Sequence, residues 1–234
     1  MLRSDDGKSL ALLFHLNSKP WTIDGSSTAD STPLQFPMAD FTPLPELDGT
    51  SALTGLLARR QSCRTFGATP IEAADLGCIL KGSYLGAPGT TRPGPSAGGI
   101  YPLEFYVIAA RVKGVSPGVY HFNSQLRGLE SMAPLPAASR LLWLFLSQTW
   151  AAEAQAVIVL AARLDPTLRK YGPRGYRYLM LESGHIAQNI TLLAAERNLS
   201  SVCMGGFEDS ELNAALGLDG VSHAALYCVA VGSE

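Results

Sequence analysis

The chain has 234 residues, of which 47% are hydrophobic and 16% charged, with a formal net charge of −2. That length suits one full-sized domain with its own core, and the near-neutral charge excludes a global basic field for nucleic acid or an anionic membrane. The four cysteines form no C-x-x-C pair and show no zinc-ligand spacing, so no metal site is expected; reduced thiols in a cytoplasmic protein fit them. The low charge content fits a subunit that buries surface against another copy of itself.

The start, Met1-Leu2-Arg3-Ser4-Asp5-Asp6, carries acids and lacks a long apolar core, so no secretory signal is expected there, and the apolar patch over 10–16 is too short to span a bilayer. Residues 1–47 read as an N-terminal extension. Its stretch 25–45 is rich in Ser, Thr, Pro and Asp, as in a surface loop or an arm that wraps a partner. The folded domain is expected to occupy 48–234, opening with a helix signalled by Asp48-Gly49-Thr50-Ser51 ahead of Leu53, Leu56 and Leu57. A second helix is predicted from Thr69 as N-cap, Pro70 in the first turn and Glu72 closing a capping box. Residues 82–99 read as loop, 103–112 as a strand, and 118–122 with 126–131 as a hairpin.

A helix is expected over 139–150, a buried strand over 156–162, and the longest helix over 176–198. On that helix Tyr178, Leu181, His185, Gln188 and Leu192 share one stripe; Glu182, Ile186, Asn189 and Leu193 share its neighbour. Gly184 costs a helix about 1 kcal/mol relative to alanine, so it predicts a close approach by another helix or a ligand. Strands at 201–204 and 224–231, with a short helix at 210–216, complete an α+β pattern.

Four short motifs carry chemistry. Arg60, Ser62 and Arg64 alternate, so an extended backbone turns them to one side, where two guanidinium groups and a hydroxyl suit a phosphate and a polyol; a solvated helix end would also place arginines there. Pro95-Ser96-Ala97-Gly98-Gly99 combines a donor with glycines that let backbone approach a planar ligand, or is a plain turn. Gly205-Gly206 ends a strand with bare amide groups. Lys170-Tyr171 lies among Arg169, Arg174 and Arg177, a field that disfavours the charged lysine and suits a general base, although a solvated basic turn has the same composition.

Taken together, Arg60-Gln61-Ser62-Cys63-Arg64, Pro95 to Pro102, Gly118-Val119-Tyr120, Lys170-Tyr171-Gly172 through Glu182, Gly184-His185 and Gln188-Asn189, and Gly205-Gly206-Phe207 resemble the nitroreductase superfamily of FMN enzymes. Within it they are most similar to the SagB-type (McbC-like) azoline dehydrogenases, over about residues 53–232. The resemblance implies an α+β homodimer with a central, mostly antiparallel sheet flanked by helices and a long central helix at the dimer interface. It implies that Arg60, Ser62 and Arg64 hold the FMN phosphate and ribityl chain with Gln61 beside them. Pro95, Ser96, Ala97 and Gly98 would line the isoalloxazine, from the opposing subunit, and Gly205 and Gly206 would lie near its redox edge. Lys170 and Tyr171 match the catalytic pair. Glu182 and His185 are read as structural helix residues. Many superfamily members place a late basic residue on the phosphate; here the sequence ends Gly232-Ser233-Glu234, so that contact is expected to be missing or supplied elsewhere.

The activity so implied is FMN-dependent oxidation of a thiazoline or oxazoline to the aromatic ring, in a peptide tethered to a precursor or a carrier protein, beside its biosynthetic enzymes. The rival readings are an NAD(P)H-dependent nitro- or quinone reductase and a flavin-free scaffold subunit.

Overall fold

Residues 156–162 are all buried and uncharged, and they form the middle of the molecule. The computed structural model describes residues 7–18, 33–46, 49 and 51–234. Strand β6 (Ala156–Arg163) pairs antiparallel with β2 (Leu103–Ala109) on one side and with β8 (His223–Gly232) on the other. Strands β4 (Gly118–Asn123) and β5 (Gly128–Pro134) extend the sheet beyond β2, and β7 (Ser200–Met204) extends it beyond β8. The result is a six-stranded antiparallel sheet in the order β5-β4-β2-β6-β8-β7.

Alternation along β6 divides the core in two. Ile158 and Leu160 face a layer containing α3 (Ala73–Tyr84) and α7 (Arg174–Glu196). Val157 and Val159 face the layer of α4 (Ala138–Leu144), α5 (Thr149–Glu153) and α8 (Asp209–Ala215). A strand covered on both faces has no solvated side to favour a polar residue, which explains the unbroken apolar run.

The expected strands and the long helix are present within a few residues, and α2 (Ala52–Arg59) starts where Ser51 Oγ accepts from Thr54 N at 3.1 Å. Asp48 and Thr50 of that start signal, and 25–32 of the expected loop, lie outside the described residues. Three expectations are corrected. The second helix starts at Ala73 rather than after Thr69, because Ile71 and Glu72 form a short strand, β1, parallel to β3 (Val112–Lys113). Glu72 is spent on an ion pair with Lys113 at 3.0 Å instead of a capping box. The helix expected over 139–150 is broken, since Leu146 and Ser147 take positive φ angles of 51° and 61° between α4 and α5. Finally, the basic turn before α7 is itself a helix, α6 (Leu164–Tyr171), stopped by Gly172.

The 10–16 patch lies in helix α1 (Gly7–Asn17), which docks through buried Ala11 and His15. By contrast Leu34, Phe36, Met38, Phe41 and Leu44 of the 33–46 segment are at least 70% exposed. Among the described residues no helix is long and apolar enough to cross a membrane.

Candidate active site

Two groups of side chains flank α7. The first gathers at the end of the sheet. Beyond α2 the chain runs extended, with Cys63 N donating to Ser201 O at 3.0 Å beside β7. This pairing imposes the alternation expected from the sequence: Arg60 Nη1 reaches Ser62 Oγ at 3.5 Å, while Gln61 turns to the other side with Cys63 and Thr65 and lines a separate cavity near Ser200 and Glu234. Arg64 lies over the Trp150 ring at 5.9 Å.

Arg60 also faces Cys203 on β7, whose thiol is pushed up by burial and held back by the Tyr227 hydroxyl and the Arg60 charge. Tyr227 in turn touches the strand tip: a methyl group on Gly205 would lie 3.8 Å from its ring. Gly205 and Gly206 follow the last ladder pair, Met204–Cys228. Gln148 Nε2 donates to Gly206 O at 2.8 Å and fixes the tip from the far layer. Met180 and Gly184 of α7 border Leu226 and Tyr227 along the same line. The structure thus joins the first and third motifs through Cys203 and Tyr227, which sequence reasoning missed. Their signal was a thiol and a phenol with apolar neighbours, Val202 and Met204 on β7 and Leu226 on β8.

The second group joins the other two motifs. Gly98 has a φ of +62° and sits against the end of α6, so that a methyl group there would collide with Lys170 Nζ and lie 2.5 Å from Tyr171 Oη. Lys170 is exposed, with its Nζ 5.4 Å from the centre of the Tyr171 ring. Tyr178 of α7 packs edge-on to Tyr171 at 5.1 Å. Pro95 is exposed, and Ser96 and Ala97 are half-buried.

Ser96 ties this loop to α7. Its Oγ donates to Glu182 Oε2 at 2.7 Å and accepts from Tyr101 N at 2.9 Å. Glu182 is only 3% exposed, and its Oε1 has no hydrogen-bond partner among the described residues. Arg92 is held nearby between the rings of Tyr84 and Tyr101, at 4.4 and 4.5 Å. Glu182 is therefore more than a helix residue: it holds the glycine loop that meets Lys170 and Tyr171. His185, on the outer face of α7, is exposed.

Burial pushes the Glu182 carboxyl up, against the smaller pull of the Ser96 hydrogen bond and the Arg92 charge. A raised carboxyl value means that the folded state resists ionisation. The resulting loss of stability is absent below the unfolded carboxyl value, roughly pH 4.3, and grows as pH rises towards the folded value. Glu182→Gln, which keeps the Ser96 acceptor, is expected to raise Tm by roughly 2–4 °C at neutral pH and by less near pH 4.5. Thermal unfolding of both proteins across that range checks it; a difference independent of pH would contradict the buried-carboxyl account.

The two groups do not meet within one chain. Glu182 and Gly184 are two positions apart on a helix, hence about 160° apart around its axis. Among the described residues nothing lies within 4 Å of a methyl group built on Gly184, so they do not make the close approach expected there. Arg177, Leu181, Gly184, His185 and Gln188 form an exposed stripe along α7.

An antiparallel sheet between two helical layers, with a cationic strand edge and a lysine-tyrosine corner across a long helix, defines a nitroreductase-like flavoenzyme fold. The chain belongs to the nitroreductase family, an oxidoreductase family whose model matches residues 57–233. It is 34% identical over 174 residues to MJ1384 of Methanocaldococcus jannaschii, a protein carrying a nitroreductase name, covering 72% of this chain and 85% of that one. It is 29% identical over 140 residues to the microcin B17-processing protein McbC of Escherichia coli, covering 56% of this chain and 51% of McbC. In fold it is similar to a chain of the E. coli microcin synthetase McbBCD complex with truncated pro-MccB17 bound, at a TM-score of 0.75 and 19% identity, over 99% of this chain and 94% of that one. Other solved structures of nitroreductase type, one of them in complex with FMN, superpose on 76–82% of the chain at TM-scores of 0.52–0.70.

Proposed function

We propose that the domain at 48–234 is an FMN-dependent azoline dehydrogenase, which oxidises a thiazoline or oxazoline to the aromatic ring within a tethered peptide. The observation that carries this reading is the meeting of Gly98 with Lys170 and Tyr171, which sets a base candidate beside a glycine-lined surface. A reductase that takes hydride from a nicotinamide has no task for that base. The similarity to McbC, named for processing microcin B17, points the same way.

The first group fits FMN. Arg60 and Arg64 supply planar cations for a phosphate, Ser62 a hydroxyl for the polyol, and Gly205-Gly206 backbone donors for the ring edge. Gln61 faces elsewhere and contributes through its backbone alone. Bound flavin would supply the acceptor for the hydride that leaves the ring carbon adjacent to the one that loses its proton.

Lys170 Nζ takes the other hydrogen, as a proton, from the carbon next to the carbonyl. Tyr171, its ring packed against Tyr178, orients the amine through its hydroxyl and relays the proton to water. Glu182, through Ser96, keeps Gly98 against both. Because these residues and the flavin group lie on opposite faces of α7, the complete site needs two copies, each lending its loop 95–98 to the other. The stripe of α7 from Leu181 to Gln188 and the exposed apolar residues at 34–44 are surface that such a homodimer would cover.

The visible absorption spectrum of the purified protein, with cofactor released by heat and identified, tests the flavin reading; FMN is expected. A protein that stays colourless after incubation with FMN would defeat it and favour the scaffold. The similarity to MJ1384 supports a second reading, a nitro- or quinone-reducing enzyme on the same flavin.

A further inference from the structure

Helix α1 lies outside the residues matched by the family. It is nevertheless anchored by buried polar contacts. His15 is 3% exposed, and its ring contacts Tyr176 Oη at 2.7 Å through Nδ1 and Gly220 O at 3.2 Å through Nε2. A carbonyl can only accept, so Nε2 carries the hydrogen and Nδ1 accepts from the phenol. Phe14 adds an edge-on contact to the same tyrosine at 5.6 Å.

So anchored, α1 has a cavity on each side. One, of about 350 Å³, lies between His15, Tyr176 and Met180 and the strand tip Gly205-Gly206. The other, of about 540 Å³, is lined by Leu10, Phe14, Pro173, Arg174 and Arg177 and shares Tyr176 and Met180 with the first. The two make one trough. Its inner end lies at the glycines placed near the flavin. Its outer part is mostly apolar with two cationic rims.

We infer that this trough is the binding groove for the peptide that carries the azoline, with α1 as its wall. The occupant has apolar residues flanking the ring and an acidic residue opposite Arg174 and Arg177. The inference rests on the azoline reading above. The fold shared with the chain of the McbBCD complex extends over 99% of this chain and so includes α1.

The test uses the flavin-loaded full chain and an azoline-containing peptide with apolar and acidic flanks. Phe14→Asp and Arg177→Glu are each expected to raise KM about tenfold, against a change in kcat of less than threefold. Leu13→Asp, on the exposed side of α1 away from the trough, is expected to leave KM unaltered. A minimal substrate consisting of the ring and one residue should not discriminate between the parent and the first two variants. Unaltered KM in Phe14→Asp and Arg177→Glu, an equal rise in Leu13→Asp, or loss of flavin in place of a KM effect would overturn the groove. If the unaltered protein binds flavin but turns over no azoline peptide, the azoline reading fails and the groove falls with it.

Discussion

Lys170→Ala is expected to lower ring oxidation by about 10²–10⁴-fold, the usual cost of losing a positioned general base, while flavin stays bound. The two effects separate because Lys170 stands across α7 from Arg60, Ser62 and the strand tip. Its Nζ lies beside Gly98 and 5.4 Å from the centre of the Tyr171 ring, away from Arg60, Ser62 and Arg64. Turnover of an azoline peptide and the visible spectrum of the same sample check both halves. If ring oxidation survives the substitution, another group takes the proton. If the parent protein reduces quinones with NAD(P)H, and Lys170→Ala does so equally well, the reductase reading replaces the dehydrogenase.

The long helix and the six strands were legible in the sequence because each carries a strong period or an unbroken apolar run. Residues 156–162 have nowhere polar to face, and α7 alternates Glu182, Ile186 and Asn189 with Leu181, His185 and Gln188. The failures have local causes. Thr69-Pro70-Ile71-Glu72 satisfies every rule for a capping box, but Ile71 and Glu72 gain a strand partner in Val112 and Lys113 that no local window contains. The helix α6 was hidden by its own composition. Its last turn reads Arg-Lys-Tyr-Gly, which looks like a basic turn, although cations at a helix C-terminus are what the dipole favours.

The candidate site was legible as residue types but not as an arrangement. The alternation of Arg60 and Ser62 follows from extended backbone, and the same alternation sends Gln61 away from them. Cys203 and Tyr227 could not be chosen from sequence, because their place between Arg60 and Gly205 depends on how β7 and β8 pair. Nor could the role of Glu182, whose partner Ser96 is 86 positions away. Long-range pairing thus determines which polar residues of a helix become part of a site.

Gly98 offers the sharpest separation of site geometry from backbone strain. It and Gly99 both adopt left-handed backbone, with φ of +62° and +66°. Alanine at either position carries a similar conformational cost, about 1–2 kcal/mol. Their surroundings differ. A methyl group on Gly98 collides with Lys170 Nζ and meets Tyr171 Oη, whereas no described residue lies within 4 Å of one on Gly99. Gly98→Ala must therefore push the amine and the phenol from their places, and a displacement near 1 Å costs about 10² in rate. Turnover is expected to fall about a hundredfold in Gly98→Ala and to stay within a few-fold of the parent in Gly99→Ala, with similar small losses of Tm in both. Equal turnover in the two variants would show that Lys170 and Tyr171 are not poised against this loop during catalysis. Equal and deep losses would instead place the backbone of the whole glycine pair, rather than the base beside it, in contact with the reacting ring.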